Sequence, residues 1–233
     1  MNKIIKVIIP AYNEEKSIIK VIQDIPSVVD EIIIVDNNSS DQTAKNAQEA
    51  GAKVLSEIKK GYGNACLKGI SYVKSQTHQT DIIVFLDGDF SDYPEELTKL
   101  IAPIINDNID FVIGARVSRF REKGSMTRPQ IFGNWLATTL MSILFNSKFT
   151  DLGPFRAIKY SKLLALKMED KTYGWTVEMQ LKALKNNYSY IEIPVKYRNR
   201  IGVSKVSGTI KGAIFAGVNI LFWIFKYSFK KWF

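Results

Sequence analysis

Residues 81–94 read DIIVFLDGDFSDYP. An apolar run ends on two aspartates one residue apart, and Pro94 then stands where a helix prefers to begin. A run of this kind, bounded by turn residues, reads as a buried strand. The pattern recurs on both sides. Residues 4–9 (IIKVII), 31–35 (EIIIV), 53–55 and 110–114 (DFVIG) read as strands. Helical spacing fills 14–24, 62–74 and a stretch to about residue 50 that Ser40 or Asp41 can cap. Near-continuous apolar strands alternating with helices predict an α/β fold with a mostly parallel central sheet covered on both faces. Ligands of such sheets lie beyond the carboxyl ends of the strands. Three polar clusters fall at those ends: Ala11 to Glu14, Asp36 to Asp41, and Asp87-Gly88-Asp89.

The second half is less regular. Residues 116–130 read as a basic loop, 131–145 as a helix, 175–187 as a helix and 190–195 as a strand. The 233 residues suffice for one large domain. An apolar content of 46% excludes a disordered chain. Cys66 is the single cysteine, so no internal disulfide forms and a reducing compartment is the default. Met1 leads almost directly into a strand, and no secretory leader is expected. His78 is the single histidine, which argues against imidazole-rich zinc sites and a Ser–His–Asp triad. No G-x-G-x-x-G or P-loop lysine motif occurs.

Lysine and arginine number 32 against 23 acids, a net charge of +9. The excess is local. No acid follows Glu192, while eight cations do; residues 116–128 hold five cations against Glu122. These patches predict an anionic partner: phosphate, nucleic acid or a membrane surface.

Asp87 and Asp89 at a strand end can converge on Mg²⁺ or Mn²⁺, which takes one or two carboxylates and completes its shell with water and phosphates. They can equally be turn formers around Gly88. Asp36 can face a base or ribose, or serve a turn. Glu178 falls on the helix of YGWTVEMQ as a candidate general base, or as a partner for Lys182 one turn on.

The ordered set PAYNEE (10–15), VDNNSSDQT (35–43), KGYGNA (60–65), DGD (87–89), DLGPFRAI (151–158), YGWTVEMQ (173–180) and RNRIGVSKVSGT (198–209) resembles family 2 glycosyltransferases. It is most similar to the dolichyl-phosphate mannose and glucose synthases. The resemblance implies a GT-A fold over residues 1–208. It implies a nucleotide-diphospho-sugar across the sheet and a divalent cation under the diphosphate. By this resemblance Pro10, Ala11, Tyr12 and Glu14 line the nucleoside pocket, Asp36 faces the base, and Lys60, Gly61 and Gly63 lie by the base and ribose. Asp87 and Gly88 face the ribose or sugar, and Asp89 with Asp87 holds the metal. The family pattern DADLQ followed by His-Pro-Pro is replaced here by DGDFSDYP, so Ser91 and Asp92 depart from it.

The chemistry then needs a neutralised leaving group and a positioned nucleophile. Arg116, Arg156, Arg200 and Lys205 are the cations expected to grip phosphates, and Gly153-Pro154-Phe155 fixes the backbone of Arg156. Arg119, Arg128 and Asn134 are the expected acceptor contacts. A hydroxyl acceptor needs a base, for which Glu178 is the candidate. A phosphate monoester does not, because its second pKa is near ~6. The expected activity is inverting transfer of a hexose, glucose or mannose, from a UDP- or GDP-sugar to a polyprenyl phosphate. The alternatives are a sugar- or lipid-hydroxyl acceptor and, in another class, a non-catalytic nucleotide- or nucleic-acid-binding module, which the carboxylate set disfavours.

Residues 209–233 differ in kind. The run 212–225 (GAIFAGVNILFWIF) is about 21 Å long as a helix, short of a ~30 Å hydrocarbon core. Lys226, Lys230, Lys231, Trp223, Tyr227 and Trp232 mark one end, which suits a membrane interface. The segment is expected to lie on or dip into the cytoplasmic leaflet as an element separate from the 1–208 domain; a helix closing the core is the other reading.

Overall fold

The computed structural model describes residues 3–77, 79–202 and 210–229. His78, Lys205, Lys230, Lys231 and Trp232 therefore lie outside the described residues.

The strands are β1 (Ile5–Ala11), β2 (Glu31–Asp36), β3 (Lys53–Ser56), β4 (Ile82–Phe85), β5 (Phe111–Ala115), β6 (Arg156–Lys159) and β7 (Tyr190–Pro194). They form one sheet in the order β3-β2-β1-β4-β6-β5-β7. Four pairings are parallel; β6 runs antiparallel to both its neighbours, β4 and β5. The sheet is therefore mostly parallel, as expected, with one reversed strand that residues 151–158 did not announce. The reversal has a consequence. β6 begins at the edge where β4 ends, with Arg156 in register with Phe85.

The helices are α1 (Ile18–Gln23), α2 (Thr43–Glu49), α3 (Tyr62–Ser75), α4 (Leu97–Asn106), α5 (Arg128–Phe145), α6 (Tyr160–Leu166), α7 (Trp175–Lys185) and α8 (Ile210–Phe229). Strand alternation sorts the core into two layers. Ile8, Ile33, Phe85, Phe111 and Ile158 join the layer that includes side chains of α3, α5, α7 and α8. Val7, Ile34, Val84, Val112 and Ala157 join the layer that includes α1 and α4.

Several boundaries differ from the sequence expectation. α1 starts at Ile18 rather than residue 14, because residues 15–17 form a turn. α2 starts at Thr43; Asp41 still serves its entrance by accepting from the Thr43 N–H at 3.0 Å. α5 starts three residues early, at Arg128. Thr127 and Gln130 form a reciprocal capping box there, and Pro129 sits in the first turn. The basic loop is correspondingly shorter.

Within the segment expected to stand apart, the described helix α8 makes contacts with the rest of the fold. α8 packs against α5 and α7. Trp223, Ile224 and Tyr227 are buried in the sheet's main core layer. The reason is the helical period, which gives α8 two apolar stripes. One closes the core. The other carries Phe215, Val218, Phe222 and Phe225, all exposed, with Phe215 at 69%. Among the described residues no helix is long and apolar enough to cross a membrane.

Candidate active site

The strand order reverses between β1 and β4, and the loops leaving these two strands bound a crevice at the carboxyl edge. A cleft of about 350 Å³ opens there, within the usual range for small-molecule sites. Pro10, Ala11, Tyr12 and Glu14 line it from β1, and Asp87, Gly88 and Asp89 from β4; Lys60, Gly61 and Arg200 complete the predicted set. Ten residues scattered over 190 positions thus meet in one cavity.

The DGD turn is built with some strain. Phe90 adopts φ = 65°, a left-handed conformation that costs an aromatic residue energy. Arg198 holds it: the guanidinium stacks 3.2 Å from the Phe90 ring centroid, and Nε donates to the Phe90 carbonyl at 2.6 Å. The turn directs Asp89 Oδ1 to the Ser91 N–H at 2.9 Å and the Ser91 hydroxyl at 2.5 Å. Asp89 Oδ2 meets Arg200 Nη2 at 3.1 Å. Asp87 Oδ1 is buried with no hydrogen-bond partner among the described residues. Burial and the charge of Asp89 push the Asp87 carboxyl up to about 7. Asp92, buried just beyond, is pushed well above the usual carboxylate range by burial and by Asp87 and Asp89.

This donor set fits a divalent cation. Two carboxylates crowd each other, one oxygen lacks a partner, and a guanidinium stands on the other carboxylate where positive charge is needed. Asp87 and Asp89 are the residues that would hold the ion. No group of three or more His, Cys, Asp or Glu side chains converges among the described residues. That suits an ion whose remaining ligands are phosphate oxygens and water.

The opposite wall is aromatic and amide-rich. Lys60 Nζ lies 5.3 Å from the Tyr12 ring centroid, capping it at the mouth. Tyr62, within the 60–63 stretch expected by the base and ribose, also lines the cleft, as do Asn37, Ala65 and Tyr173, which were not singled out from sequence. Asn37 donates to the carbonyls of Glu57 and Lys59 at 3.0 and 2.8 Å and accepts from the Gly61 N–H at 2.7 Å. It pins the 57–61 wall to the end of β2. A carboxamide directly after a strand-end aspartate was the available signal.

Other predicted residues sit elsewhere. Asp36 is buried and does not line the cleft; Oδ2 accepts from the Ser39 N–H at 3.3 Å. Gly63 does not line it either. Its hydrogen faces backbone: an added Cβ would come within 2.1 Å of the Asp170 carbonyl oxygen. Gly61, at φ = 138°, is pressed the same way against the Lys171 carbonyl. Both glycines thus permit close approach to the 169–173 loop, and Gly61 also lines the cleft.

Three predicted catalytic residues are committed to the protein itself. Arg116 forms a two-pronged pair with Asp151 at 2.7 and 2.8 Å and packs over the Tyr197 ring. Arg156 is 0% exposed and donates to the carbonyls of Leu152, Gly153 and Thr176. Burial pulls its pKa down to about 10, so it remains a cation at neutral pH. Glu178 is also 0% exposed. Its carboxylate accepts from the Glu169 and Asp170 N–H groups, each at 2.8 Å, and pairs with Lys182 at 2.7 Å. None of the three lines the cleft. Residue type and family resemblance suggested them for the chemistry, but in the fold their side chains are turned to the protein. Lys205 lies outside the described residues.

The acceptor candidates do not line the cleft. Asn134 shares a small polar pocket with Arg116, Arg121 and Asp151, while its amide donates to the Thr150 carbonyl and accepts from the Leu152 N–H. Arg128 borders an open ledge with Ile131, Phe132 and Trp135. Arg119 stacks on Phe120 at 4.4 Å.

Comparison with known proteins agrees with this architecture. Residues 6–165 match the family described as Glycosyl transferase family 2. An uncharacterized glycosyltransferase of Mycobacterium tuberculosis is 32% identical over 91% of this chain and 94% of its own length. The UDP-N-acetylglucosamine–dolichyl-phosphate N-acetylglucosaminyltransferase of Methanococcus voltae is 32% identical, covering 84% of this chain and 86% of its own. The undecaprenyl-phosphate mannosyltransferase of Micrococcus luteus is 28% identical, covering 93% and 92%. In fold, the chain is similar to glucosyl-3-phosphoglycerate synthase of Mycobacterium tuberculosis, crystallised with Mn²⁺, uridine diphosphate and phosphoglyceric acid. The TM-score is 0.76 at 20% identity, over 98% of this chain and 80% of that one.

Proposed function

The chain belongs to glycosyl transferase family 2, and from that premise we propose that it transfers a hexose from a nucleotide-diphospho-sugar to a polyprenyl phosphate at a membrane surface. The reading rests on two features of the same fold. A carboxylate-bearing nucleotide cleft sits at the sheet edge, and a ledge of Arg128, Ile131, Phe132 and Trp135 offers one cation beside apolar surface. Relatives named for transfer to dolichyl and undecaprenyl phosphate support the acceptor class.

Pro10, Ala11, Tyr12, Asn37, Lys60 and Gly61 would hold the nucleoside. Asp89 and Asp87 would hold Mg²⁺ or Mn²⁺, the ions present in the similar crystal structures. When bound, that ion neutralises charge on the departing diphosphate. Arg200 grips the diphosphate from the other side. A phosphate oxygen of the acceptor attacks the anomeric carbon from the face opposite the leaving group. The new C–O bond forms as the bond to the nucleotide diphosphate breaks, inverting the centre. The acceptor is mostly a dianion at neutral pH, so no side chain has to take a proton. This accords with Glu178 being buried away from the cleft and disfavours the hydroxyl acceptor that would need it as base. Arg119, Arg128 and Asn134 would meet the acceptor.

The exposed stripe of α8 and the exposed Phe132 and Trp135 of α5, with the basic residues near them, are the surface we assign to the cytoplasmic face of the membrane. A donor panel tests the reading. UDP- and GDP-hexoses are offered with polyprenyl phosphate or with the matching free alcohol. Release of nucleotide diphosphate is expected only with the phosphate. Turnover confined to the alcohol would overturn it.

A further inference from the structure

Arg200 occupies a specific place. Its Nη2 lies 3.1 Å from Asp89 Oδ2 and 3.2 Å from Glu14 Oε1, so one guanidinium bridges the β1 and β4 sides of the cleft. Its backbone fixes it there. The Arg198 N–H donates to the Ser91 carbonyl and the Ile201 N–H to the Asp89 carbonyl, both at 2.9 Å, laying the 198–201 segment along the DGD turn. Asp89 has already committed Oδ1 to Ser91. Oδ2 is the oxygen left for a cation, and Arg200 stands on it. Arg200 Nε is itself buried without a hydrogen-bond partner among the described residues, so the side chain has donor capacity in reserve.

We propose that Arg200 is a built-in cation surrogate that makes binding of the divalent ion depend on the donor. A divalent ion reaches Asp89 Oδ2 only as the guanidinium leaves it. Leaving strands a positive charge beside the incoming ion unless a new anion receives it. The diphosphate of a nucleotide supplies that anion, and its oxygens suit both the guanidinium fork and the ion. Ion and nucleotide therefore bind with positive coupling through Arg200, and by linkage each strengthens the other equally. The bridge to Glu14 extends the effect to the β1 wall, because one movement breaks both ion pairs. This inference rests on the cation and nucleotide assignment above.

Binding of Mn²⁺ alone, read as loss of the free-ion signal in electron paramagnetic resonance, tests it without turnover. Full-length wild type, Arg200→Gln, Arg200→Met and Arg200→Lys are titrated with Mn²⁺ in the absence of nucleotide, and then with UDP or GDP. A neighbouring charge typically shifts such equilibria tenfold or more. Arg200→Gln and Arg200→Met are expected to bind Mn²⁺ alone roughly tenfold more tightly than wild type, and to lose a similar factor of the tightening by nucleotide. Arg200→Lys, which keeps the charge, is expected to stay near wild type. If wild type binds Mn²⁺ with nucleotide but the neutral variants bind the bare ion no better than wild type, the surrogate role is overturned and the cation assignment stands. If no protein binds Mn²⁺ under any condition, the cation assignment fails and takes this inference with it. Thermal unfolding of each variant verifies that it is folded before titration.

Discussion

The indole N–H of Trp223 donates to Asp170 Oδ2, joining α8 to the loop that carries Tyr173 to the cleft. The same loop is gripped from two other sides. Glu178 receives two of its N–H groups, and Gly63 and Asn64 at the start of α3 donate to its carbonyls. Tyr173, at its end, reaches the cleft. The helix α8 and the cleft thus meet through one loop.

Trp223→Ala is expected to cost about 3–5 kcal/mol, the usual range for removing a buried tryptophan. Replacing Phe215, Phe222 and Phe225 by serine is expected to leave stability within about 1 kcal/mol, since these side chains are exposed. The triple variant should nevertheless lose flotation with anionic vesicles. Denaturant unfolding and a flotation gradient separate the two stripes. Deleting the whole helix cannot separate them, because it also removes Trp223, Ile224 and Tyr227 from the core.

Glu178→Gln removes the nearer charge partner of the buried Lys182, at 2.7 Å, and leaves it only Glu169 at 3.7 Å. Breaking such a pair typically costs about 3–5 kcal/mol. Chemical denaturation should show that loss. Turnover per folded molecule with polyprenyl phosphate should stay within about tenfold of wild type, with any deficit appearing in donor KM through Tyr173. A thousandfold fall in kcat at unchanged KM and normal folding would restore Glu178 as the base.

Asp89→Ala should reduce transfer by at least about 100-fold, the scale on which loss of electrostatic stabilisation at a leaving group is felt. Chelation of divalent ions should silence the wild type, and Mg²⁺ or Mn²⁺ should restore it. Full turnover in excess chelator would remove the cation from the mechanism.

The pH dependence has a definite sign. The Asp87 carboxyl titrates at about 7 in the folded protein, against about 4 in an unfolded chain. Between those values the folded state holds the extra proton, so stability falls as pH rises through this window. With divalent ions removed, Asp87→Asn should flatten the decline by up to about 1.4 kcal/mol per pH unit. Denaturant midpoints of both proteins from pH 4.5 to 8 check this. An ion that needs the carboxylate should also bind the wild type more tightly at pH 8 than at pH 6.

The sequence alone determined the layers and the location of the site. Apolar runs of four to six residues, each ending in a polar cluster and alternating with helical spacing, read as strands whose carboxyl ends collect those clusters at one edge. Pro10, Ala11, Tyr12, Glu14, Lys60, Gly61 and Asp87 to Asp89 meet in one cleft. What tertiary structure decided is which polar groups face that cleft and which face the protein. Arg156, Arg116 and Glu178 carry the residue types that catalysis uses, but β6 runs backward, Asp151 meets Arg116, and the 169–173 loop presents bare N–H groups to Glu178. α8 was ambiguous for the same reason: an all-apolar helix has no polar face to announce its orientation, and only packing on α5 and α7 distinguished the stripe that closes the core from the one that stays exposed. Hydrophobic period is a local property that the chain displays residue by residue. The partner of a buried charge is set by contacts between distant segments, and those exist only once the sheet has formed.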